Sequence, residues 1–320
     1  MMQNRTLSII LLAYYSGDKI RIAYEKIKAL LNQEEIPFEL IVVNDGSKDG
    51  NITRNVSQHL ENEFYEVRYF ELSRNYTSHY AAFAGLSVCI GGCAVLIPDD
   101  EQQPYDTLVK AYRMWEKGET IILPVRSSRD DPKLSKLWSN AFYWFLNKTT
   151  DFEYPKYGID TWLVDREIID ILNQRISPIN TTTITEIMRL GFDPKLLIYE
   201  RRQSTQSKSR WSFKKKLKLA SDWFFGTSRF PIKLVTYLGV FSFILSFGMI
   251  IFYSYVKIWG NESFWKSNQV PGWVGLVVII SFFSGAILIS LAMIAEYIWR
   301  IFDEVKGRPG YIIRNRDGII

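Results

Sequence analysis

Residues 38–47 read Phe-Glu-Leu-Ile-Val-Val-Asn-Asp-Gly-Ser. An apolar, β-branched run without alternation predicts a strand covered on both faces, over Phe38–Val43. It stops at Asn44-Asp45-Gly46-Ser47, residue types that favour turns. Similar runs flank it. Leu7–Ala13 is a first strand, Val67–Leu72 a third, and Ala94–Ile97 a fourth that ends in Pro98-Asp99-Asp100. Ile20–Gln33 carries helical spacing at Ile20, Ala23, Ile27, Leu30 and Leu31, and Ser78–Val88 reads as a helix of small residues. Alternating strand and helix across residues 1–200 predicts an α/β domain, a mostly parallel sheet with helices on both faces. Such sheets bind ligands at the carboxyl ends of their strands. Asp45, Asp99 and Asp100 fall there.

Two acidic groups at one sheet edge repel each other unless a cation or donor groups satisfy them. Mg²⁺ held by one or two carboxylates and substrate phosphates is one such arrangement. The alternative, that Asp45-Gly46-Ser47 is only a turn, stays open on the residues alone. No Gly-x-Gly-x-x-Gly follows the first strand and no Gly-x-x-x-x-Gly-Lys-Ser/Thr is present, so dinucleotide oxidoreductases and P-loop enzymes fit poorly. Two cysteines, Cys89 and Cys93, form neither a disulfide framework nor a zinc site, and two histidines argue against a His-based triad.

The remaining apolar residues are concentrated near the C-terminus. Between Lys233 and Lys257 lie 23 uncharged residues, and between Lys266 and Glu296 another 29. About 20 apolar residues cross a hydrocarbon core, so two spans are expected, near 234–256 and 272–295, within a hairpin over 231–299. Residues 1–30 show no basic start followed by an unbroken apolar stretch, so no signal peptide is expected. Segment 205–233 carries eight Lys/Arg, and the tail 300–320 adds Arg300, Lys306, Arg308, Arg314 and Arg316; the connecting loop 257–271 has only Lys257 and Lys266. The positive-inside rule then puts both ends, and the 1–200 domain, on the cytoplasmic side of a multi-pass inner membrane protein. The basic region 201–230 interleaves Lys214–Lys216 and Lys218 with Trp211, Phe213, Leu217, Trp223 and Phe224. It reads as an amphipathic helix at an anionic bilayer surface. Nucleic acid is a poor partner, because the basic run leads directly into a membrane span.

Together, LSIILLAYY, ELIVVNDGSKDG, LSRNY, PDDEQQP, GIDTWLVDR, KSRWSFKKKLKLASD and EYIWRIFDEVKGRPGYIIRN resemble the family-2 inverting glycosyltransferases of GT-A (Rossmann-like) fold. The subgroup they resemble is the polyprenyl-phosphate glycosyltransferases, with a cytoplasmic catalytic domain and two C-terminal membrane helices. The resemblance implies a nucleotide-sugar donor, a polyprenyl phosphate acceptor such as undecaprenyl phosphate, Mg²⁺ or Mn²⁺, and a role in cell-surface glycan or lipopolysaccharide modification. It is also compatible with a homo-oligomer. Asp45 matches the aspartate that contacts the nucleoside. Asp100 matches the second carboxylate of the Asp-x-Asp metal motif, a catalytic position, and Gln102 the motif's glutamine on the substrate side. Pro98 stands where the first aspartate is usual, and Asp99 substitutes from a shifted position as metal ligand and donor contact. Asp160 matches the aspartate of the Gly-Asp-Phe-Arg segment, with Trp162 at the arginine. The acidic residue usual after the first strand is missing or moved in Ala13-Tyr14-Tyr15-Ser16-Gly17-Asp18.

The chemistry needs few special groups. A lipid monophosphate has a second pKa of about 6 and is already a nucleophile at neutral pH, so a site without a catalytic histidine suffices. Asp160 is a candidate for orienting sugar or acceptor, with a structural ion pair as the alternative. Arg202 and Arg210 lie between the sheet domain and the first span and are candidates for the acceptor phosphate; a purely electrostatic anchor is the other reading. Two further readings stay open: transfer to a different membrane lipid, and a non-catalytic membrane scaffold on a degraded transferase site.

Overall fold

A computed structural model describes residues 4–100, 102–127, 147–148, 154–155, 158–159, 161–200, 230–259 and 272–314. The elements, in order, are β1 (Leu7–Ala13), α1 (Lys19–Gln33), β2 (Phe38–Asn44), α2 (Ile52–Glu63), β3 (Val67–Leu72), α3 (Ser78–Val88), β4 (Cys93–Pro98), α4 (Asp106–Glu116) and β5 (Ile121–Arg126). There follow β6 (Leu163–Asp165), α5 (Arg166–Arg175), α6 (Thr183–Arg189), β7 (Lys195–Tyr199), α7 (Phe230–Trp259), α8 (Gly272–Val305) and β8 (Ile313–Arg314). The eight strands form one sheet in the order β7-β5-β6-β4-β1-β2-β3-β8. Pairing is parallel from β4 through β1 and β2 to β3, and between β5 and β7. Short β6 runs antiparallel between β4 and β5, and β8 runs antiparallel on the β3 edge. The sheet is therefore mixed, with a parallel centre.

β1 sits at that centre and is covered on both sides. Leu7, Ile9, Leu11 and Ala13 share one core cluster with Ile20, Ala23, Ile27 and Leu31 of α1, Leu60 of α2, and Leu108, Ala111 and Trp115 of α4. The alternate residue Ile10 points to the other face, where α3 packs so closely that a Cβ on Gly85 would lie 2.3 Å from Ile10 Cγ2. A helix of alanine, glycine and serine suits this approach, because bulk there would push α3 off the sheet. Burying both faces of a strand is what selects the unbroken apolar run over an alternating one.

The chain divides into two compact units, Met1–Leu219 with Arg308–Ile320, and Ala220–Gly307. The second contains α7, 30 residues, and α8, 34 residues, spanning about 45 and 51 Å at 1.5 Å per residue. Among the described residues one stretch, Phe282–Val305, is long and apolar enough to cross a membrane, and Ile232–Ser242 is a shorter apolar helix. The structure thus supports one such span where the sequence leads to the expectation of two.

After Val305 the chain does not trail away. Gly307, at φ +60°, lets the backbone turn out of α8; residues from Arg308 on belong to the first unit, and Ile313–Arg314 pair with β3 as β8. The expected 300–320 tail thus contains a strand that the sequence reading did not foresee.

Candidate functional site

The carboxyl ends of β1, β2 and β4 open on one edge of the sheet, and the loops that follow them are tied together by side chains. At the end of β2, Asn44 Oδ1 accepts the Ser47 backbone N–H (3.1 Å) and hydroxyl (2.6 Å), closing a tight turn. Ser47 Oγ in turn accepts the Tyr15 N–H at 2.9 Å, which joins this turn to the loop after β1. Gly46 is required twice over. Its φ is +60°, and a Cβ there would lie 2.4 Å from the Arg74 carbonyl carbon.

Asp45 is buried, at 5% exposure. Its Oδ1 accepts the Tyr76 N–H at 2.7 Å and its Oδ2 the Thr77 N–H at 3.0 Å. In this structure the carboxylate shapes the loop between β3 and α3, whose Thr77 takes the unusual φ of +93°. The Arg74 guanidinium lies over the Tyr76 ring, 4.5 Å from its centroid, on the same loop.

Asp99 is also buried. Its Oδ2 accepts a very short hydrogen bond from the Ser16 hydroxyl. Ser16 and Gly17 donate their backbone N–H groups to Thr53 Oγ1 at 3.0 and 3.1 Å, and Thr53 donates to Asp49 Oδ2 at 2.5 Å. The loop after β1 is therefore a hub, held to the β2 turn through Tyr15 and to the β4 turn through Ser16. Asp100 is half-buried, and its Oδ1 accepts the Gln102 N–H at 3.3 Å. Gln102 is half-buried beside it.

Gln103, not Gln102, is the side chain that reaches across. Its buried amide donates to Thr107 Oγ1 of α4 at 2.7 Å and accepts the Thr161 hydroxyl at 2.7 Å. Thr161 follows Asp160 in the chain. Asp160 itself, with Arg202 and Arg210, lies outside the described residues. Trp162, which the sequence puts at a family arginine, is fully buried and donates its indole N–H to Thr183 Oγ1 at 3.0 Å, a packing role.

Of the sequence candidates, the structure thus brings Asp45, Asp99, Asp100 and Gln102 to one edge. Ser16, Thr53, Gln103 and Thr161 were missed. They are hydroxyls and an amide whose partners lie far away in sequence, and no local pattern marks them. Among the described residues no group of three or more His, Cys, Asp or Glu is placed to hold a metal ion. Asp99 and Asp100 are nonetheless adjacent hard oxygen donors. They fit a Mg²⁺ or Mn²⁺ ion whose other ligands come from a diphosphate.

One titration follows from this region. His79, in the first turn of α3, is half-buried, and burial pushes its imidazole down to about 4. Because the unfolded chain takes up that proton near 6.5, the His79 contribution to stability is complete above about pH 6.5 and is lost as the pH falls toward 4. We expect His79→Gln to flatten this part of the stability–pH curve. A denaturant titration at pH 7 and pH 5 checks it, and an unchanged slope would exclude a neutral, desolvated His79.

The chain is similar in sequence to known proteins along most of its length. The profile of glycosyl transferase family 2 matches residues 8–171, from β1 into α5. The uncharacterized glycosyltransferase YkcC of Bacillus subtilis is 30% identical over 315 residues, spanning 98% of this chain and 94% of that protein. The bactoprenol glucosyl transferase of Shigella phage SfX is 27% identical and spans 97% of this chain and 99% of its own length. The mannosyltransferase PcManGT of Pyrobaculum calidifontis is a distant structural likeness, 13% identical with a TM-score of 0.48 over 95% of this chain and 88% of its own. On the family match and the full-length relatives, the chain belongs to glycosyl transferase family 2 and is a glycosyltransferase.

Proposed function

We propose that this chain transfers a monosaccharide, with inversion, from a nucleotide sugar to a polyprenyl phosphate at the cytoplasmic membrane face. The observation that carries the reading is the convergence of the Asp45, Ser16–Asp99 and Asp100 loops on one sheet edge, in a chain with long apolar helices beyond the catalytic unit. The full-length relatives named for bactoprenol glucosyl transfer support the acceptor class. In this reading residues 1–200 are the GT-A catalytic domain, 201–230 the interfacial region, and 231–299 a hairpin spanning near 234–256 and 272–295.

The reaction is a displacement. A phosphate oxygen of the lipid attacks the anomeric carbon, the bond from that carbon to the diphosphate oxygen breaks, and the nucleoside diphosphate leaves with the electron pair. The attacking monoester is largely ionised, so no protein base has to take a proton. The Asp45-pinned loop holds the nucleoside end of the donor. Asp99 and Asp100 would hold the cation, with Ser16 orienting Asp99. When bound, that ion supplies charge stabilisation for the leaving diphosphate. Asp160 orients the sugar or acceptor. Arg202 and Arg210 receive the lipid phosphate.

This last assignment has its own test. Arginine offers a bidentate fork that lysine does not reproduce. Arg210→Lys and Arg202→Lys are therefore expected to raise the acceptor KM or lower turnover, with little change in donor affinity. Single losses among Lys214–Lys216 should weaken membrane association by about 1 kcal/mol each and leave turnover in detergent nearly intact. Acceptor saturation kinetics beside a donor titration decide it. Weakened donor binding with unchanged acceptor kinetics in Arg210→Lys would assign that residue to the nucleotide diphosphate instead.

A further inference from the structure

The loop that Asp45 pins is held from a second side by the chain's own C-terminal segment. Ile312 O accepts the Ser73 N–H at 2.9 Å, at the start of that loop, and the register Leu72–Ile313 and Glu71–Arg314 continues the pairing along β3. Ser73 Oγ lies 3.0 Å from Tyr76 Oη, so the residue the tail grips is in hydrogen-bond contact with the residue whose backbone Asp45 grips. Tyr76 and Tyr80 form an edge contact, ring centroids 6.2 Å apart. Tyr80 is the residue against which Gly310 rests. A Cβ on Gly310 would come within 2.9 Å of Tyr80 Cε1 and 2.8 Å of Pro178 Cγ. Tyr311 follows, with its hydroxyl 3.4 Å from Phe83 O on α3 and its phenol pushed up by burial. Arg314 Nη1 reaches Glu71 Oε1 at 3.4 Å.

A two-residue strand adds little to a sheet, since isolated short pairings are marginal. The contacts made by residues 310–314 do not spread along the β3 edge as a simple cover for it would. They gather at its carboxyl end, on both chain segments that bound the Ser73–Thr77 loop. Asp45 fixes the last two residues of the loop, and Ile312 fixes its first.

We propose that residues 310–314 are a positioning strap for the Ser73–Thr77 loop, so that affinity for the nucleotide sugar depends on the C-terminal segment. The proposal rests on the donor-site reading of Asp45. It makes the stretch Gly310-Tyr-Ile-Ile-Arg314 part of the donor side of the enzyme rather than a tail. The strap residues act through the loop and touch no substrate.

The test uses the full chain in detergent, with UDP-glucose and GDP-mannose as titrants and thermal unfolding measured beside them. Gly310→Val, which drives a side chain into Tyr80 and Pro178, and Tyr311→Ala, which empties the contact on α3, are each expected to raise the Kd of the donor that binds by about tenfold. Tyr311→Phe keeps the ring and is expected to stay within twofold of wild type, because the hydroxyl contact it loses is long. Leu197→Ala, on β7 at the opposite edge of the sheet, serves as the destabilised control and should lower the unfolding temperature without moving donor Kd. If Gly310→Val does not fold, the Tyr311 pair decides alone. Donor Kd within twofold of wild type in folded Tyr311→Ala overturns the strap, as does an equal rise in Leu197→Ala. Asp45→Asn separates the two levels. Wild-type donor affinity in Asp45→Asn removes the donor-site reading, whereas loss there with intact tail variants removes the strap alone.

Discussion

Asp100→Ala is expected to reduce sugar transfer by about a hundredfold while leaving the fold intact. Losing one of the two carboxylates that would hold the cation removes charge stabilisation of the leaving diphosphate, a cost of about 3 kcal/mol in the transition state. The fold has much less at stake. Asp100 sits half-buried in the turn after β4, where its Oδ1 accepts the Gln102 N–H at a long 3.3 Å. Its loss should move stability by no more than about 1 kcal/mol. Turnover by purified protein and a thermal melt on the same sample check both halves. In the same assay excess chelator should stop transfer and added Mg²⁺ or Mn²⁺ restore it, since the two neighbouring carboxylates suit a hard cation. Wild-type turnover by Asp100→Ala would remove the residue from the site.

Asp45→Ala should behave differently, with stability and donor binding falling together. The carboxylate is 5% exposed and accepts two backbone N–H groups. Alanine removes the charged acceptor of two hydrogen bonds from the amides of half-buried Tyr76 and exposed Thr77, at a cost of about 3 kcal/mol. For a unit of this size that lowers the unfolding temperature by roughly 10 °C. The loop then loses the form in which it presents Arg74 and Tyr76, so donor affinity is expected to fall at least tenfold. Asp45→Asn rescues only in part, because its amide NH₂ turns a donor toward one of two N–H groups. A melt beside a donor titration reads this. A variant that keeps its melting temperature but loses donor binding would mean that Asp45 contacts the nucleoside without shaping the loop.

The sequence put Asp45 at a strand end but did not show which groups its carboxylate holds. Its position at the end of a strand was legible, because the apolar run Phe38–Val43 stops abruptly at turn residues. The partners it satisfies are amides at positions 76 and 77, and nothing in Asn44-Asp45-Gly46-Ser47 names them. The central strands were legible for the same reason as β2, since burial on both faces writes itself as an unbroken apolar run. The small-residue helix Ser78–Val88 was legible as well, and the close approach of Gly85 to Ile10 supplies the reason for its composition. β6 and β8 were not legible. Three and two residues carry no periodicity, and their pairings depend on chain segments that return from far away. Trp162 looked like a departure from a catalytic pattern, yet its indole fills the core and is satisfied by Thr183. Gln103 was passed over for its neighbour Gln102, because only the fold reveals which of two adjacent amides faces Thr161.

The central claim is tested most directly by incubating the purified full chain in detergent with undecaprenyl phosphate and, in turn, UDP-glucose, UDP-N-acetylglucosamine and GDP-mannose, then taking mass spectra of the extracted lipid. The account predicts that one donor yields a lipid heavier by one anhydro-monosaccharide, with release of the matching nucleoside diphosphate and about a hundredfold slower product formation by Asp100→Ala. It also predicts that the sugar of that lipid has the anomeric configuration opposite to that of the donor. Transfer to diacylglycerol with undecaprenyl phosphate left untouched, or retention of the donor's configuration in the product, would contradict it.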